Sequence, residues 1–162
     1  AHHGRGSASS LEHAVVAVAS LVSHLEQHGY AVRLVTADGV PVDGAHRAIG
    51  HLALLRASKR GDLDVSWSGE HASGGVVVAV LGGRLPDDDP ALRRIRPDAG
   101  TPLAVVLDTE QWSATRFQAD ADEAAQYLAA LSWRAVGIGP RDRLDQAWRD
   151  LGRAPARRGA RP

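Results

Sequence analysis

The residues best placed for chemistry are an acid and a hydroxyl at the end of an apolar run. Asp108 and Thr109 directly follow the run 103–107, whose continuous apolar character is typical of a strand buried on both faces. Open α/β sheets bind ligands at the carboxyl ends of such strands. A carboxylate there could hold a metal ion or act as a base. Loop polarity and helix capping explain the same residues equally well.

Two glycines and a second acidic residue extend this predicted binding surface. Gly82 and Gly83 follow the continuous apolar run 76–81, and Asp38 lies in a turn after the β-branched run 30–36. Neither glycine belongs to a Gly-x-Gly-x-x-Gly or P-loop pattern, so the nucleotide-binding signal is weak. We expect the strand carboxyl-end loops to carry the binding residues, namely Asp38, Gly82, Gly83, Asp108 and Thr109.

Two histidines are weak candidates for a metal site. His24 and His28 are four residues apart on a predicted helix, a spacing at which two imidazoles can ligate one zinc ion. They lack the His-Glu-x-x-His order and an obvious third ligand. A solvated helix face is the better interpretation, and we predict neither a metal nor another cofactor.

Composition excludes several classes of function. The 162 residues carry 19 basic and 19 acidic side chains, which gives no global attraction to nucleic acid. The absence of cysteine excludes disulfides and thiolate chemistry. No apolar run approaches the roughly 18 residues that span a bilayer, so any membrane attachment would come through a parent protein.

The order of predicted elements indicates an α/β fold. Ser9 and Glu12 form a capping box before a helix, and helical patterns then alternate with strands. This alternation predicts a doubly wound, mainly parallel sheet with helices on both faces, Rossmann-like in outline. We expect a flexible segment over 1–9, the α/β domain over 10–151 and a disordered arginine-rich tail over 152–162.

The patterning resembles the C-terminal part of an actinobacterial family of uncharacterised proteins with a von Willebrand factor A-like domain. The segments that carry the resemblance are 10–20, 29–39, 77–82, 103–109, 131–136 and 144–149. Such proteins are associated with MoxR-type AAA ATPases and typically carry membrane helices. The resemblance therefore implies a cytoplasmic domain of a membrane-anchored bacterial protein, with a protein partner.

The same resemblance implies that a central strand is missing. In that fold a strand ending in Asp-x-Ser-x-Ser lies between the strands at 30–36 and 76–81, and it would fall before Ala1. We therefore expect no adhesion-type metal site near Ser9. We also expect an upstream segment or another chain to fill the gap, because the flanking strand edges would otherwise be unpaired.

Two classes of function follow from these patterns. The first is a non-catalytic protein–protein interaction module, favoured because no complete catalytic signature stands in the sequence. The second is a small-molecule or nucleotide-binding α/β domain, including a hydrolase, that uses the same crevice. An anion held by backbone amides near Gly82 or Gly139 would favour the second class.

Overall fold

A computed structural model of the chain describes residues 9–57, 75–82, 85, 90–95, 101–112 and 120–153. Gly83 lies outside these residues, as do positions 1–8 of the predicted segment 1–9 and positions 154–162 of the predicted tail 152–162. The segment 62–73, which alternates as a strand would and could also begin a helix, lies outside them too.

The first helix begins and ends where its capping signals predict. Helix α1 spans Ser10–Gln27, and the Ser9 hydroxyl accepts a hydrogen bond from the Glu12 amide at 3.2 Å. This bond satisfies one of the amides that a helix start leaves without an intrahelical partner. Gly29 follows with a φ of 81°, a left-handed conformation that favours glycine and ends the helix. The prediction for this helix is confirmed.

Three strands form a parallel sheet. Strands β3 (Val78–Gly82), β4 (Leu103–Leu107) and β5 (Arg134–Ile138) pair in the order β3-β4-β5. The central strand β4 is the most deeply buried, with Ala104 to Leu107 fully inaccessible to water. The predicted parallel pairing of the strands at 76–81 and 103–107 is confirmed.

Helices cover both faces of this sheet. On one face, α3 (Pro90–Arg94) and α4 (Asp120–Ala130) pack against Ala104 and Val106. On the other face, α5 (Leu144–Arg153) packs against Val105 and Leu107, joined by Ala14 of α1. The alternation of side chains along β4 explains this division, since neighbouring residues of a strand point to opposite faces.

The strand predicted at 30–36 does not join the parallel sheet. Strand β1 (Arg33–Val35) pairs antiparallel with β2 (Pro41–Asp43), and together they form a separate two-stranded sheet. The short connection explains this antiparallel pairing, because only antiparallel strands can be joined by a tight hairpin. Among the described residues, no strand pairing joins β1 to β3, β4 or β5.

Helix α2 (Ala45–Ala53) completes a second core with α1 and the hairpin. The buried apolar side chains of this core are Val22, Leu34, Ala45, Ala48 and Leu52. Ile49, which the pattern places on the apolar side of the helix, is 39% exposed. Among the residues that the structure describes, no helix has the length and apolar character needed to cross a bilayer.

Candidate functional site

The carboxyl ends of the three parallel strands meet at one edge of the sheet. There Asp108 and Thr109 leave β4 and enter a short 3-10 helix, Thr109–Trp112. Both side chains are buried, with Asp108 2% and Thr109 3% exposed. We call this surface the carboxyl-end face, and it consists of Gly82, Asp108, Thr109, Gln111 and Gly139.

Asp108 is a buried carboxylate whose two oxygens differ in their hydrogen bonding. Its Oδ2 accepts a hydrogen bond from Nε2 of Gln111 at 2.8 Å. Its Oδ1 has no hydrogen-bond partner within the described part of the chain. A buried carboxylate oxygen without a donor is costly, because it has lost its hydration and gained nothing in return. Within the described residues, Oδ1 of Asp108 can therefore still accept a hydrogen bond from one donor.

Gln111 lies across the ends of two strands. Its backbone N–H donates to the Asp108 carbonyl at 3.1 Å, while its side chain is exposed. A Cβ at Gly139 would lie only 2.5 Å from Oε1 of Gln111. Glycine at position 139 therefore lets the Gln111 amide lie over the end of β5 while it holds Asp108.

The other strand ends also contact this cluster. A Cβ at Gly82 would lie 3.5 Å from Cγ2 of Thr109, so the end of β3 is close to the 3-10 helix. The His13 ring lies 5.4 Å from the Trp112 ring, measured between centroids. The first turns of α1 are thus brought beside the same end of the sheet. The structure brings together Gly82, Asp108 and Thr109, as the sequence predicts.

Asp38 lies in a different setting, the turn of the β1–β2 hairpin. The Thr36 hydroxyl donates to Asp38 Oδ1 at 2.7 Å, and the Val40 amide donates to the same oxygen at 3.3 Å. These two hydrogen bonds lower the pKa of Asp38 below its ordinary value, with the Thr36 bond as the larger cause. Asp38 therefore stabilises the turn as a carboxylate.

With the neighbouring His51, this turn brings together the Asp38 carboxylate, the Thr36 hydroxyl and an imidazole. Nε2 of His51 lies 3.3 Å from the Thr36 hydroxyl oxygen. Because that hydroxyl already donates to Asp38, the imidazole must act as the donor. A histidine that donates to a hydroxyl cannot remove its proton, so the order of the three groups is not that of a catalytic triad.

The two histidines proposed as weak metal candidates contact each other at the end of α1. Their ring centroids are 4.2 Å apart, and Nδ1 of His28 donates to the His24 carbonyl at 2.8 Å. In the ranges that the structure covers, no group of three His, Cys, Asp or Glu side chains is arranged to hold a metal ion.

A groove of about 220 Å³ runs between β5 and α5. Asp142 and Arg143 are among the residues that line it. The Gly139 N–H donates to Oδ2 of Asp142 at 2.7 Å, and Arg143 pairs with Asp145 at 2.9 Å. The amide and the guanidinium that an anionic ligand would use are therefore both engaged by carboxylates.

Comparison of the chain with protein-family models, with curated proteins and with solved structures found no match. Sequence reasoning missed Gln111, although its position three residues after the strand-end Asp108 is the spacing at which a helical turn brings two side chains together.

Proposed function

We propose that this chain is a non-catalytic protein-interaction module of a larger bacterial protein, with a von Willebrand factor A-like fold. In this proposal the partner docks on the carboxyl-end face. Strand ends held by a rigid parallel sheet are suited to this task, because ligands of open α/β sheets approach from that side.

The observation that carries the proposal is the unpartnered Oδ1 of Asp108. This oxygen is buried and has no hydrogen-bond partner among the described residues, while the exposed Gln111 side chain holds the other oxygen of the same carboxylate. A donor supplied by a partner would complete the hydrogen-bonding of a carboxylate that the described residues leave half satisfied. Hydrogen bonds to a charged group are stronger than those to a neutral one.

Two further observations favour a module that binds without catalysis. At the hairpin, the Thr36 hydroxyl donates to Asp38 and is not activated by His51. At the end of β5, the Gly139 amide that could hold a phosphate is bound by Asp142. The second observation weighs against the nucleotide-binding alternative, because a phosphate would have to displace a carboxylate.

The resemblance supplies the candidate partner, a MoxR-type AAA ATPase. It also suggests that the module is cytoplasmic and that its parent protein is anchored in the membrane. In this assignment the docked group is a hydrogen-bond donor or cation, since Asp108 offers only acceptors.

The test is binding of the purified chain to the MoxR-type ATPase of the same organism, measured by calorimetry. Asp108→Asn keeps the shape of the side chain and removes its charge. We expect it to weaken binding by at least about tenfold, since a hydrogen bond to a charged group contributes roughly 1.5–3 kcal/mol.

Glu26→Gln is the matched control, because Glu26 is an exposed acid at the far end of α1 from Trp112. It should leave the affinity unchanged. Equal affinities of Asp108→Asn and the unaltered chain would rule out the carboxyl-end face as the docking surface. A complete lack of binding to the ATPase would rule out that partner.

A further inference from the structure

Two exposed imidazoles lie one helical turn apart at the end of α1. His24 is in the last turn of the helix and His28 is its C-terminal capping residue, and both residues are exposed to solvent. Their ring centroids are 4.2 Å apart, with an angle of 41° between the ring planes. Side chains four residues apart are neighbours on one face of a helix, so one small ligand can reach both rings.

A hydrogen bond determines which nitrogen of His28 is available to a ligand. Nδ1 of His28 lies 2.8 Å from the His24 carbonyl oxygen, and because a carbonyl only accepts, Nδ1 must carry a proton. In the neutral ring the free lone pair is therefore on Nε2. Imidazoles that bind metal ions commonly donate their other ring N–H to a backbone carbonyl, which fixes the tautomer and the orientation of the ring. His28 has this arrangement.

The separation of the two rings suits a single ion. Imidazole nitrogens bind Zn²⁺ at about 2.0–2.1 Å. With a ring centre about 1.1 Å behind its nitrogen and a ligand–metal–ligand angle of about 90–110°, two rings that share one ion have centroids about 4.5–5.2 Å apart. The observed 4.2 Å is slightly shorter, and a small rotation of these exposed side chains is enough to admit the ion.

The end of α1 also favours a transition-metal cation. The last carbonyls of a helix carry a partial negative charge of about half an elementary charge, and α1 ends at Gln27, one residue before His28. Imidazole suits zinc, copper and nickel ions, whereas Mg²⁺ and Ca²⁺ prefer oxygen ligands. The two rings therefore select a divalent transition metal over a hard cation.

We propose that His24 and His28 form a surface site for a divalent transition-metal ion such as Zn²⁺, with Nε2 of His28 as one ligand and the His24 ring as the other. In the part of the chain that the structure describes, no third His, Cys, Asp or Glu side chain is arranged with them to hold an ion. Water or an outside ligand fills the remaining positions, as at zinc ions with an open coordination site. This inference does not depend on docking at the carboxyl-end face.

The test is a titration of the full chain with zinc chloride, followed by nitrogen nuclear magnetic resonance of the imidazole rings. The chain has eight histidines, and this measurement assigns the ion to particular rings. In the free chain, the neutral His28 ring should carry its proton on Nδ1. Zn²⁺ should shift Nε2 of His28 and one ring nitrogen of His24 with the same midpoint, whereas magnesium chloride should shift neither.

Two variants separate chelation from binding by single imidazoles. His24→Gln and His28→Gln should each weaken Zn²⁺ binding at the remaining ring by at least about tenfold, because one imidazole alone forms no chelate. His46→Gln is the matched control, since His46 is an exposed histidine in the first turn of α2. It should leave the midpoint at His24 and His28 unchanged. Circular dichroism checks that each variant keeps its helices.

Three results would overturn the proposal. The first is Zn²⁺ that shifts other histidines but not these two, and the second is a different midpoint for each ring, which would indicate two separate contacts. The third is a loss of less than tenfold in both variants. If a variant does not fold, the titration of the unaltered chain still decides, because the two rings must respond together.

Discussion

At the scale of single residues, Gly139 makes the Asp108–Gln111 contact possible. Gly139→Ala would place a Cβ 2.5 Å from the Gln111 amide oxygen and push that side chain away from Asp108. The buried carboxylate would lose its Gln111 donor, so we expect a loss of about 1–3 kcal/mol in the free energy of unfolding. Urea denaturation measures this loss.

The same experiment identifies the cause. Because Gly139→Ala and Gln111→Ala break one contact, the double variant should lose little more stability than either single variant. Gly152→Ala is the control, since a Cβ there meets nothing within 4 Å in helix α5. It should be neutral or stabilising, as alanine is the better helix former. Additive losses would show that Gly139 acts through some other contact.

At the scale of elements, the cap of α1 has a measurable consequence. The Ser9 hydroxyl accepts the Glu12 amide at the start of the helix, at 3.2 Å. Ser9→Ala should therefore lower the free energy of unfolding by about 1 kcal/mol. Ser20→Ala is the matched control, because the exposed Ser20 hydroxyl donates only to the Val16 carbonyl within the helix. A similar loss in both variants would contradict the capping role.

Elements with strong local sequence patterns could be predicted from the sequence. Elements whose pairing depends on contacts with other segments could not. The cap and apolar stripe define α1, and two-sided apolar character defines β4. The run 30–36 is equally β-branched, but its pairing depends on the turn that follows. The Asp108 oxygen that has no partner among the described residues could not be predicted either, because its bonding depends on which donors β4 and β5 bring together in space.

At the scale of the whole molecule, the described residues form two sheets with separate cores. One core joins α1, α2 and the hairpin, and the other cores lie on the two faces of the parallel sheet. The sequence predicts one sheet with a gap between the strands at 30–36 and 76–81, since local patterns show which segments are strands but not which strands pair. The hydrogen bonds between strands define the two sheets: they join β1 to β2, and they join β3 to β4 and β4 to β5.

This division predicts different local stabilities. Val106 lies in the fully buried central strand, whereas Leu34 pairs with Val42 in a hairpin of two three-residue strands. Such short hairpins are marginal by themselves, so Leu34 should exchange its amide hydrogen through local opening and Val106 through global unfolding. We expect opening free energies that differ by at least about 1.4 kcal/mol, or tenfold in exchange rate. Native-state exchange at increasing denaturant measures both. If Leu34 and Val106 follow the same denaturant dependence throughout, the two sheets unfold as one cooperative unit.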